Sequence, residues 1–277
     1  MLKLGSFARR PPEPSTPRGH RAYVLGDVHG RLDLLDEMLG RIEADDQSRA
    51  GSKTSVIFLG DLIDRGPDSA GVLHRLMHYR PAFATPYFIA GNHEEVLLRI
   101  LDGDSGPIAN WLTFGGAECA RSYGLDPEDL RLVPAGEAVE HLRRAVPEAH
   151  WTFLRNFADS VTFGSYLMVH AGIRPGIALD SQTPRDLRWI RSPFLEADGD
   201  LGFTVVHGHT ISESVEIRSN RIGIDTGAYA TGVLTALVLE GTSRSFLQTA
   251  GAPSPQARFL AAPRILPREP DRRRGSA

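Results

Sequence analysis

An α/β fold built on parallel strands is what this sequence predicts, from two features. Short apolar runs alternate with stretches of helical spacing, and each run ends in a glycine-flanked cluster of Asp, Asn or His. Runs at 22–25, 55–59 and 87–90 read as strands buried on both faces. Helical repeats follow each of them: Leu32, Leu35, Leu39 and Ile42; Val72, Leu73, Leu76 and Met77; Val96, Leu97, Ile100 and Leu101. Strand followed by helix, three times over, calls for parallel pairing with right-handed crossovers. A later set, at 166–169, 203–206, 215–217, 222–224 and 233–239, is strand-rich. Residues 95–165 separate the two sets as a helical insertion, with Trp151, Phe153, Leu154 and Phe157 on one stripe.

The organisation expected is one catalytic domain over 22–248 with two dissimilar ends. Residues 1–21 carry four prolines and five cations against one acid, and 249–277 end in Arg272-Arg273-Arg274. Such segments bury too little apolar surface to offset their ordering entropy, so both are expected to be disordered, the second as a basic Pro/Arg-rich tail. A single cysteine, Cys119, excludes a disulfide scaffold and a thiolate zinc cage. No apolar run approaches the ~20 residues of a membrane span, and no secretory signal is readable, so a cytoplasmic location is expected. With 31 basic and 34 acidic residues, net −3, composition gives no reason to expect nucleic acid or a membrane as partner. It specifies no oligomeric state.

The chemistry sits at the strand ends, where open α/β sheets gather their ligands. Gly26-Asp27-Val28-His29-Gly30 follows the first strand and Gly60-Asp61-Leu62-Ile63-Asp64-Arg65-Gly66 the second. Gly91-Asn92-His93-Glu94 follows the third, with His170-Ala171-Gly172 and His207-Gly208-His209-Thr210 after later strands. Each element alone is an ordinary turn or cap. Five converging strand ends that all offer carboxylate, imidazole or amide are not. Such donors without thiolate suit manganese, iron or zinc. Asp27 and His29, read as alternating on an extended stretch, point the same way and can share one ion. Asp61 can bridge to a second, completed by Asn92, His170 and His209. Two dications against the carboxylates of Asp27 and Asp61 and one hydroxide leave a positive site that welcomes phosphate.

On these five motifs the chain resembles the phosphoprotein phosphatase family of the metallophosphoesterase (calcineurin-like) superfamily, in its bacterial serine/threonine phosphatase form and close to symmetrical diadenosine tetraphosphatases. The resemblance spans about 22–240. It implies a four-layer αββα sandwich of two mixed sheets flanked by helices. It also implies two divalent ions, manganese foremost with iron or zinc as alternatives, on the six ligands just named. Further, it implies His93 as general acid, Asp64 as its orienting carboxylate, and Arg65 and Arg191 gripping the phosphate. The activity implied is a metal-dependent phosphomonoesterase using direct attack of metal-held hydroxide. Its expected substrate is phosphoserine or phosphothreonine on a protein or a small phosphate ester; the alternative is symmetrical hydrolysis of a dinucleoside polyphosphate. His207 is expected as a donor behind the ligands, and Arg174 as a surface ion pair.

Competing motifs lack their context. Gly103-Asp104-Ser105-Gly106-Pro107 resembles a serine protease loop inside the wrong fold class. A calcium loop counted from Asp102 would need Glu where Thr113 stands. Trp111, Phe114 and Tyr123 could stack on adenine, but at that spacing they read as core of the insertion.

Overall fold

The computed structural model describes residues 13–49 and 51–250. Its first sheet runs β10-β9-β1-β2-β3: Ser243–Gln248, Thr235–Glu240, His20–Leu25, Lys53–Phe58 and Ala84–Phe88. The strands β1, β2 and β3 are parallel as expected, and β9 lies antiparallel to β1. The second sheet, also mixed, runs β4-β5-β6-β8-β7: Ser160–Phe163, Tyr166–Val169, Thr204–His207, Arg221–Gly223 and Glu216–Ile217.

Helices α1 (Leu32–Ser48), α2 (Ser69–Met77) and α3 (Asn92–Leu101) cover the outer face of the first sheet. The expected insertion joins that layer through α4 (Ile108–Trp111), α5 (Ala117–Ser122), α6 (Pro127–Leu132), α7 (Ala135–Ala145) and α8 (Glu148–Arg155). Between the sheets, Val24, Ile57, Leu59, Met168, Val206, Ile224 and Leu237 form a second apolar layer without solvent access. Beyond the second sheet, α9 (Pro184–Trp189) and Phe194 close a third over Leu167, Val169 and Val205. The result is the four-layer sandwich that the family resemblance implies. Each strand buried on both faces has an apolar layer to meet on each side.

Several expectations are corrected. The third strand is not buried on both faces: β3 is a sheet edge of alternating exposure, with Tyr87 42% exposed. An edge is where Pro86, which has no N–H to donate, is tolerated. The strands β4 and β10 were not anticipated. Nor are the ends of the domain where composition put them. Thr16 N–H donates to Gly241 O at 2.9 Å, and Ser165 N–H to Ser15 O at 2.9 Å, tying 15–16 onto the two sheets. Thr249 is buried against Leu234 and Gly232. Expectations for 1–12 and 251–277 fall outside the described residues. Where β1 begins, the buried Arg21 guanidinium pairs with Asp46 at 2.7 Å and Glu240 at 3.0 Å, fastening α1 and β9 to it. Burial opposes its charge, but both carboxylates hold its pKa above the ordinary arginine value.

Candidate metal centre

The ends of β1, β2, β5 and β6 and the start of α3 meet at one sheet edge, and Asp61 stands at the middle of what they bring. Asp61 Oδ2 lies 3.7 Å from His29 Nε2, and Asp61 Oδ1 lies 3.4 Å from His170 Nε2. Asp27 Oδ2 is 4.0 Å from His29 Nε2 and accepts from the His209 N–H at 3.1 Å. Asn92 Oδ1 is 3.0 Å from His170 Nε2. Asp61, His170 and His209 offer ligand atoms that all lie within 4.8 Å of one another, as do His29, Asp61 and His93. All six expected ligands are therefore in one buried cluster.

The backbone is bent to achieve this. Among the described residues, the non-glycine residues with positive φ are His29 (46°), Asp61 (46°), Asp64 (70°), Arg65 (64°) and His209 (63°), all of them site residues. Left-handed backbone costs an L-residue roughly 1–2 kcal/mol each. The expected alternation of Asp27 and His29 on an extended stretch is thus corrected: a left-handed turn, not the pleat, brings His29 to Asp27. Gly208 is needed for approach alone, since a Cβ there would stand 2.0 Å from Asp27 Oδ1.

Cation ligands fit this donor set. His29 Nδ1–H donates to Ile63 O at 2.8 Å and His170 Nδ1–H to Leu59 O at 2.9 Å, so each ring turns its Nε2 inward. The Nε2 atoms of His29 and His209 are buried with no hydrogen-bond partner. Burial pushes His209 down to about 3 and holds His29 well below its ordinary value, keeping both neutral. Burial, together with Asp225 and Asp61 close by, pushes the Asp27 carboxyl well up. Burial opposes ionisation of Asp61 too, but the imidazoles of His170, His93 and His29 outweigh it and hold that carboxyl well below the usual range. Crowded carboxylates and orphaned imidazole nitrogens around one point are what dications would relieve.

His93 is held differently. Its Nδ1–H donates to Asp64 Oδ2 at 2.6 Å, and its Nε2 lies 3.2 Å from Arg65 Nη2. Burial lowers its pKa, but Asp61 and Asp64 outweigh that and raise it above the ordinary histidine value. Arg65 also sits 4.9 Å over the Tyr229 ring. Arg191 donates to His209 O at 3.3 Å. Both arginines line a cleft of about 680 Å³ that opens on Asn92, His93 and His209.

Four supporting residues went unassigned. Glu94 accepts the backbone N–H groups of Asp61, Leu62 and Gly91 at 2.7–2.9 Å, tying two ligand loops together. Trp111, read as insertion core, is buried but donates Nε1–H to Asp64 at 3.0 Å. Asp225 accepts from Gly227 N–H at 2.9 Å and leaves Oδ2 buried without a partner. Tyr229 is the platform for Arg65. The sequence did signal Asp225: Asp225-Thr226-Gly227 follows a strand just as the ligand motifs do. His207 lies behind the ligands: its Nδ1–H donates to Gly208 O at 3.1 Å, its ring is edge-on to Phe194 at 5.0 Å, and burial lowers it to about 4. Arg174 pairs with Asp186 at 2.5 Å as expected.

The calcineurin-like phosphoesterase family model matches residues 20–230. The chain belongs to that family. It is therefore a metal-dependent hydrolase of phosphoric esters, and the family uses a dinuclear divalent metal centre. Among curated relatives, an asymmetrical bis(5'-nucleosyl)-tetraphosphatase of Halalkalibacterium halodurans is 29% identical, over 77% of this chain and 88% of its own. Serine/threonine-protein phosphatase 2 of Escherichia coli is 27% identical, over 77% and 90%. A symmetrical bis(5'-nucleosyl)-tetraphosphatase of Dechloromonas aromatica is 29% identical, but only 44% of its length is spanned. A metallophosphoesterase from Sphaerobacter thermophilus shares the fold at a TM-score of 0.51 and 15% identity, over 88% of this chain and 95% of its own.

Proposed function

We propose that this chain is a phosphoesterase with two divalent ions, manganese foremost and iron or zinc as alternatives, acting by direct in-line attack without a phosphoenzyme. The observation that carries this reading is Asp61, set between His29 at 3.7 Å and His170 at 3.4 Å so that one carboxylate serves two ligand sets. Asp27, His29 and Asp61 would hold one ion, and Asp61, Asn92, His170 and His209 the other. When bound, the ions supply Lewis-acid polarisation of the phosphoryl group and acidify a water. The protein's own groups do the rest. Asp64 fixes the His93 ring through Nδ1 and keeps a proton available, and Nε2, on the cleft side, delivers it to the leaving oxygen. Arg65 and Arg191 grip the phosphoryl oxygens from the cleft wall.

A dinucleoside polyphosphate suits this cleft better than phosphoserine or phosphothreonine on a protein. Arg65, Arg99 and Arg191 line it and no carboxylate does, so with Arg99 held by Asp104 at 2.6 Å just outside, its lining favours a polyanion over a peptide that carries one phosphate. Neither a nucleic acid nor a membrane has a part in this reading, and the cytoplasm is its setting. The test is turnover of diadenosine tetraphosphate against a phosphoserine peptide with manganese supplied. Preference for the dinucleotide is expected; preference for the peptide would reverse the substrate assignment, and inertness toward both would remove the catalytic one.

A further inference from the structure

Among the described residues seven large hydrophobic side chains are exposed and three of them are aromatic, Tyr87 on the edge strand β3 and Phe114 and Trp189, which stand on the same cleft. Phe114 is 66% exposed and Trp189 38% exposed, and each lines the 680 Å³ space that also holds His93 and Arg191. Phe114 is not a loose surface ring. It sits at a kink between α4 and α5, where helical geometry breaks at Phe114 (φ −100°, ψ 24°) and Gly115 (φ 116°). Gly115, at φ 116°, packs so closely that a Cβ would stand 2.5 Å from Arg65 Cγ, and Arg65 N–H donates to Gly115 O at 2.9 Å. The position of Phe114 is therefore locked to the arginine that faces the phosphate. Trp189 is similarly placed, two residues before Arg191, with its Nε1–H toward Glu95 at 3.4 Å.

Trp189, Arg99 and Arg191 also wall a second, adjoining cleft of about 610 Å³. Its remaining charged walls are Arg174 and Arg185 against Glu95 and Asp186. Among the described residues neither Arg185 nor Arg191 has a carboxylate partner. A flat apolar rim beside a line of arginines is complementary to a ligand that is aromatic at one end and repeatedly anionic along its length.

We infer that Phe114 and Trp189 are specificity-determining residues that stack a nucleobase of the substrate, with Arg99 and Arg185 carrying the phosphates beyond the one that is cleaved. This rests on the phosphoesterase reading and adds the substrate's recognition to it. Aromatic stacking on a base tolerates any base identity, so the clamp selects nucleotides as a class.

Kinetics on the manganese-loaded full chain test it, with diadenosine tetraphosphate, glycerol 2-phosphate and phosphotyrosine as substrates. For Phe114→Ala and Trp189→Leu, the kcat/KM ratio of dinucleotide to glycerol phosphate is expected to fall about tenfold or more, mainly through KM, which is the worth of one lost stack. Phe114→Tyr is expected to restore it. In stopped flow, ADP should quench tryptophan fluorescence of the wild type and lose most of that quench in Trp189→Leu. A ratio unchanged within twofold would overturn the clamp, and so would an equal loss for phosphotyrosine, which would make the rim a generic aryl pocket. Wild-type inertness toward all three substrates would strike the phosphoesterase reading instead, while the ADP quench would still decide the clamp.

Discussion

The metal-binding centre and the cleft rim are neighbours built on opposite terms. At the centre, side chains are nearly all buried, five left-handed residues hold them, and Glu94 ties two of the loops from behind. At the rim, Phe114 at a helix kink, Trp189 at the end of α9 and Arg191 in the loop after it face solvent. The difference teaches where constraint is stored. Chemistry on a phosphoryl group needs ligands fixed to fractions of an ångström, so the fold accepts backbone strain there. Recognition of what carries the phosphate needs surface, so the rim leaves aromatic area in water and keeps it rigid through contacts such as Gly115 with Arg65.

The sharpest way to break this division is at its middle. Asp61→Asn is expected to cut kcat on every ester by on the order of 10⁴-fold, because one substitution disables both ligand sets. Metal analysis of the purified variant should find less than the wild-type complement, and a full complement with full activity would sink the shared-ligand account. His93→Asn should retain its metal yet lose about 10²–10⁴-fold in kcat, the usual worth of a general acid. Unchanged turnover would remove His93 from proton delivery. Asp64→Asn should cost about 10–100-fold, as loss of an orienting partner does. It also carries a sign. A general acid works while protonated, so rate falls as pH rises through its pKa. Asp64 is one of the carboxylates raising His93, after Asp61, so its loss should move the alkaline fall to lower pH. An alkaline limb that stays put would assign that titration to another group. Smallest is a change remote from both regions. Gly40 lies exposed within α1 with nothing near its missing Cβ, so Gly40→Ala should add about 0.5–1 kcal/mol of stability and leave kinetics alone. Thermal unfolding checks it; altered turnover would mean that α1 communicates with the site.

Much of the centre was legible from sequence because its grammar is local. Strand, glycine and ligand follow one another within a few residues, and parallel strands put those ligands at one edge. The inner strands β1 and β2 read correctly since continuous Val, Ile and Leu admit burial on both faces. The edge strand β3 did not, because its apolar residues run on as Tyr87-Phe88-Ile89-Ala90 while its neighbour on one side is solvent. The strands β4 and β10 escaped because Ser160–Phe163 and Ser243–Gln248 are short and half polar, paired through distant partners. Residues 15–16 were misjudged for a similar reason, as their hydrogen bonds go to Ser165 and Gly241. Trp111 and Phe114 share the spacing of insertion core, and nothing local says that one is buried against Asp64 while the other faces the cleft.

The account as a whole rests on two ions bridged by one carboxylate, and electron paramagnetic resonance of the manganese-loaded chain tests that most directly. An exchange-coupled pair at two ions per chain, abolished in Asp61→Asn, is the result expected. Isolated manganese signals at full occupancy, or saturation at a single ion, would contradict it.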